Sequence, residues 1–152
     1  MLMNVSLYAQ TATRAHIESK LREIYQKANA PVFVLTRENP LSVAGAVGSE
    51  ITGTRIDGRF ARIVAAVWSE RGKTGAEYFF DGQSLIFVFE AQEFFEDVPG
   101  AWKNFKGISG WERRTYLHEG KVIDSERKGT SEPPADLQKK AAELLRILNA
   151  RI

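Results

Sequence analysis

The sequence predicts an α+β domain: an antiparallel meander sheet of five to seven strands, with an N-terminal and a C-terminal helix packed on one face. Three observations predict it. The two ends of the chain repeat their apolar residues at helical spacing, while the middle alternates at strand spacing. Acidic-Gly pairs, Asp57-Gly58, Asp81-Gly82 and Glu119-Gly120, punctuate the middle where extended runs meet. The 152 residues, 43% apolar and 26% charged, suit one domain with a real core and argue against a disordered chain.

Residues 1–10 are apolar (Met1, Leu2, Met3, Val5, Leu7, Tyr8, Ala9) and precede polar helical sequence. They read as the tail of a secretory signal ending at Ala9, or as a short structured arm, with 11–152 as the domain. A basic n-region is missing, and Leu7 stands where a small residue is usual. A periplasmic or secreted location is the expectation, with the cytoplasm as the alternative.

Thr11 to Ala28 forms the first helix, with Ile17, Leu21, Ile24, Tyr25 and Ala28 on one face. Glu18–Arg22 and Glu23–Lys27 are favourable i,i+4 pairs, and Asn29 and Pro31 supply the stop. A short strand follows at 31–35, then a loop over 36–48.

From Ser49 the pattern becomes hairpins. Ile51–Ile56 turns at Asp57-Gly58 into Arg59–Ser69, where strict alternation sends Phe60, Val64, Ala66 and Trp68 to one face and Ala61, Ile63, Ala65 and Val67 to the other. Such a strand is covered on both sides. Gly72 and Gly75 bracket the next turn, and Ala76–Phe80 then pairs with Leu85–Glu90. There Leu85, Phe87 and Phe89 share one face, and Ile86 and Val88 the other. Trp111–Leu117 and Val122–Arg127 make the last hairpin around Glu119-Gly120. The turn glycines lie 24 and 38 residues apart, so the echo between hairpins is recurrent turn chemistry and not a solenoid repeat. After Ser131–Pro134, the closing helix carries Leu137, Ala141, Leu144, Leu145, Leu148 and Ile152 as one stripe.

Two segments carry a resemblance. Residues 77–90 (EYFFDGQSLIFVFE) and 112–123 (ERRTYLHEGKVI) resemble small exported bacterial proteins of unassigned function, which show successive hairpins of the form Tyr-Phe-x-x-Gly-x-Leu. The likeness covers about residues 55–125 and implies a strand–turn pattern. Related aromatic-acidic-Gly repeats occur in MORN-type modules and some immunity proteins.

The chemistry is sparse. The net charge of +2 argues for neither nucleic acid nor an anionic membrane, and no apolar run is long enough to span a bilayer. The absence of cysteine removes disulfides, thiolate metal sites and thiol nucleophiles. His16 and His118 have no local ligand spacing, so neither a metal nor a cofactor is expected. Ser109, between Gly107 and Gly110, lacks a nucleophile elbow, and no phosphate-binding glycine loop appears. Arg113 and Arg114 fall on opposite faces of a strand and are expected to pair with Asp124 or Glu126.

The long connection over 90–110 stands out, with Phe94, Phe95, Trp102 and Phe105 among charged residues. Aromatic rings with a charged rim suit a contact surface. The expected function is therefore a non-catalytic exported binding protein, an inhibitor or immunity-like partner of another protein, using these four rings. The alternatives are a carrier for a small apolar ligand held between sheet and helices, and a small hydrolase using carboxylates and His118.

Overall fold

The structure, a computed structural model, describes residues 13–27, 46–94, 110–130 and 132–150 in full, and only the backbone of 2–12, 33–37, 95 and 107–109. Helix α1 (Leu2–Lys27) precedes strands β1 (Phe33–Arg37), β2 (Gly48–Ile56), β3 (Arg59–Trp68), β4 (Gly72–Asp81), β5 (Ser84–Phe95), β6 (Gly107–His118) and β7 (Lys121–Lys128), and helix α2 (Leu137–Asn149) closes the chain. The seven strands form one antiparallel sheet in chain order, so the expected meander is observed. α1 starts ahead of Thr11, within the segment read as signal-like. Gly72 and Gly75 lie inside β4, and the turn before it is made by Ser69, whose hydroxyl accepts from the amides of Arg71 and Gly72.

Turn chemistry fixes the hairpins. Asp57 and Gly58 have φ of 53° and 79°, and Glu119 and Gly120 have 50° and 79°; both pairs form two-residue turns of the mirror type that matches strand twist. The short side chain of Asp57 tolerates the first left-handed position, Glu119 adopts it without that advantage, and glycine takes the second without strain.

Each of the three hairpins then repeats one irregularity. Arg55 faces Phe60 and Thr54 faces Arg62, which leaves Ala61 without an opposite residue. Ile86 is unmatched in the same way between Leu85 and Phe87, and Ile123 between Val122 and Asp124. The extra residue is always the third of the returning strand, and it sends two consecutive side chains to one face. The expected alternation fails there. Phe60 joins Ile63, and Leu85 joins Val88, in one core; Ala61, Ile86 and Phe87 lie together in the other.

The two cores lie on opposite faces of the sheet, which corrects the expectation that both helices share a face. Leu137, Ala141, Leu144 and Leu148 of α2 pack on Ile51, Phe60, Ile63, Tyr78, Leu85, Val88 and Leu117. Ile17 and Ile24 of α1 pack on Ala61, Phe79, Ile86, Phe87 and Tyr116. The reason is in the strands: β3, β4 and β5 are apolar on both faces, and each face needs its own cover. Asp136 caps α2 by accepting from the Lys139 amide at 3.1 Å. Ala28 and Ile152, expected on the two stripes, lie outside the described residues.

α1 is pinned by polar contacts as well. Arg14 binds Glu18, Asp124 and Glu126 and lies over the Tyr116 ring, 4.4 Å from its centre. Glu23–Lys27 forms as expected at 2.8 Å, whereas Glu18 bonds Arg14 and not Arg22. Tyr25 is half exposed, yet its ring meets Phe79 and its hydroxyl donates to Glu77.

Candidate functional site

The aromatic connection is shorter than its sequence suggests, because β5 continues to Phe95 and β6 begins at Gly107. Trp102 and Phe105 lie outside the described residues, and Phe95 is described only as backbone paired with Gly107. Phe94 is therefore the one expected contact residue whose side chain can be placed. It is 47% exposed.

Its exposed ring is held from below. Gly110 is an unmatched residue of β6, between Trp111 facing Gln92 and Ser109 facing Glu93. A Cβ on Gly110 would come within 2.5 Å of the Phe94 ring, so the ring lies against bare backbone. Further along the same sheet face, Trp111 Nε1 donates to Gln92 Oε1 at 2.6 Å. The Arg113 guanidinium lies 5.0 Å from the centre of the Trp111 ring. Arg113 also donates to both carboxylate oxygens of Glu90, at 3.0 Å each, and to the carbonyls of Glu132 and Pro133 in the linker to α2. Phe94 thus stands beside a row of interlocked side chains that ends at the linker into α2.

The expected pairing of the two arginines is corrected. Arg113 and Arg114 do point to opposite faces, but Arg113 holds Glu90, and Arg114 holds Glu112 at 3.3 Å and lies over Phe89. Asp124 and Glu126 are engaged by Arg14. The reason is distance along the chain: α1 brings a cation to β7 from more than a hundred residues away, and strand periodicity carries no sign of that.

At the hairpin tips, the two histidines border the same groove. His16 of α1 and His118 of β6 line one open groove of about 470 Å³, with Asp81 and Ser84 beside them and Ile17 and Leu85 below. His118 Nε2 is 3.6 Å from Glu119 Oε1, and Asp81 is 3.7 Å from Lys20. Among the described residues, no three His, Asp or Glu side chains are placed to hold a metal ion. The Ser109 side chain lies outside the described residues.

Burial acts on the buried phenol of the α2 face. Desolvation, reinforced by the charge of Glu90, pushes the Tyr78 hydroxyl well above its ordinary range.

No protein-family model, curated protein or solved structure matches the chain.

Proposed function

We propose that the chain is a non-catalytic binding protein that grips another protein at the end of its sheet where β5 meets β6, with Phe94 as the anchor. The observation that carries this reading is the fixed and exposed Phe94 ring. A pre-positioned aromatic side chain loses little conformational freedom on binding and offers a large apolar area. Its neighbours supply a polar rim: Glu70 and Arg71, in the turn adjoining its partner Gly72, are exposed. Phe95, Trp102 and Phe105 belong to the same proposed surface, on the sequence argument alone. The partner relation is inhibitor-like or immunity-like. The reading includes export, supported by the apolar residues 1–10.

The test is a pull-down of the tagged chain from a native extract of its source cell, beside Phe94→Ala. The expected result is a stoichiometric protein partner that the variant loses while its melting temperature stays within about 2 °C. Retention of that partner by Phe94→Ala, or recovery of the wild-type chain with no protein partner, overturns the reading.

A further inference from the structure

At the opposite end of the sheet, α2 ends over the tips of the β2–β3 and β4–β5 hairpins, and an open groove of about 370 Å³ lies there. Arg55 and Arg59 line it, with Phe60, Phe80, Leu145 and Asn149. Among the described residues, no acidic side chain lines this groove.

Five arginines elsewhere in the fold are paired: Arg14, Arg62, Arg113, Arg114 and Arg146 each hold a carboxylate. Arg55 and Arg59 hold none among the described residues. Arg55 rests on the Phe60 ring, 5.3 Å from its centre. Its Nε is buried and has no hydrogen-bond partner among the described residues. A buried guanidinium N–H without an acceptor is costly, and native structures rarely keep one unless something else satisfies it. Nε itself is covered, but the terminal nitrogens of the guanidinium are not enclosed and border an open groove, so an acceptor arriving from outside can meet them.

The local fold explains why the arginine stands there. The unmatched Ala61 swings Phe60 to the α2 side, directly opposite Arg55. The ring then supports the guanidinium plane, and Phe80 and Leu145 extend the apolar seat. Gly58 and Gly82, both at left-handed φ, make up the turns at the mouth and add no side chain to block it.

We propose that this groove binds an organic anion, with a carboxylate or phosphate-monoester head on an aromatic or alkyl body. The planar guanidinium donor fork matches an oxyanion head. Two phenylalanines and a leucine suit a flat or chain-like apolar body. The site is separate from the Phe94 surface, so either can fail without the other.

The experiment is a calorimetric titration of the full chain with phenyl phosphate, phenylacetate and inorganic phosphate, with amide shifts followed by NMR. At least one phenyl anion is expected to bind about tenfold or more tightly than inorganic phosphate, and to shift the amides of Gly58, Gly82 and Asn149 while leaving Gly75 unmoved. The tighter of the two phenyl anions assigns the head group. Arg59→Ala and Arg55→Lys are each expected to weaken that binding about tenfold or more. Arg59 is exposed, so its variant tests the site without threatening the fold. No binding of either phenyl anion at millimolar concentration overturns the proposal. So does equal binding of inorganic phosphate, or undiminished affinity in both variants.

Discussion

Glu90 and Arg113 stand directly opposite each other on β5 and β6 and close a two-pronged ion pair, 3.0 Å on each arm, with both side chains more than nine-tenths buried. Two further bonds from Arg113 fasten the linker that leads into α2. Removing one partner leaves a buried charge unmatched, which costs far more than the pair itself contributes. Glu90→Ala is expected to lower unfolding stability by about 3–5 kcal/mol in urea denaturation. The double variant Glu90→Leu/Arg113→Met is expected to recover much of that loss. A loss under about 1 kcal/mol in Glu90→Ala would show that water reaches the pair freely.

Arg14 ties the first helix to the last strand through Asp124 and Glu126, with Glu18 and the Tyr116 ring completing its surroundings. Burial works against its charge, but the bonds to Glu126, Asp124 and Glu18 outweigh it and hold the guanidinium pKa above its usual value. The side chain is partly exposed, so the expected destabilisation of Arg14→Ala is modest, about 1–2 kcal/mol. The difference from wild type should shrink in 1 M salt, because screening weakens the partly exposed ion pairs and leaves apolar packing unchanged. An unchanged difference would assign the effect to packing.

Two glycines give opposite expectations. A Cβ at Gly53 would sit 2.5 Å from the Phe60 ring and 3.0 Å from Leu148 Cδ1, inside the α2 core. Gly53→Ala should therefore cost about 1–3 kcal/mol. At Gly75 the nearest atom is the Ala65 carbonyl oxygen at 3.8 Å, which is ordinary contact. Gly75→Ala should be neutral or stabilising by up to about 1 kcal/mol, since it narrows the unfolded ensemble. Thermal melts of the pair check both, and equal effects would contradict the packing seen around Gly53.

Alkaline pH should weaken the fold. Burial raises the pKa of Tyr78, and less strongly those of Tyr25 and Tyr116, above the ordinary phenol value. A raised phenol means that the native state keeps its proton where the unfolded chain has lost it. The associated stability is fully present below about pH 10 and disappears as pH climbs through the folded values. Melting temperatures are expected to hold to about pH 9.5 and then fall, with Tyr78→Phe showing the shallower decline. A parallel decline in that variant would move the effect to other groups.

Much of this architecture was legible in the sequence, for local reasons. Asp57-Gly58 and Gly120 specify their turns through the φ values they tolerate, and the Leu137–Leu148 stripe specifies the buried side of α2. What could not be read was the third residue of each returning strand. Ala61, Ile86 and Ile123 each follow another apolar residue, so alternation ran through them and sent Phe60 and Leu85 to the wrong core. The placement of the helices failed for a related reason: a helical stripe shows that one face is buried but not against which side of a sheet. Long-range partners were invisible too. Glu90 finds Arg113 across 23 residues, and Arg55 is notable for a carboxylate that does not come.

Because each strand of the meander pairs only with its neighbours in the chain, the sheet can zip up through closures over short separations, a fast route by topology. α1 departs from that economy. Arg14 closes onto Glu126 across 112 residues. During synthesis α1 is made more than a hundred residues before the strand it docks on, a delay of roughly 10 s at ordinary translation rates. In that interval Ile17 and Ile24, almost fully buried in the finished fold, have no complete sheet to cover them. Pulsed hydrogen exchange during refolding should find protection in β3 to β6 before α1. Simultaneous protection would mean that the helix helps to nucleate the sheet.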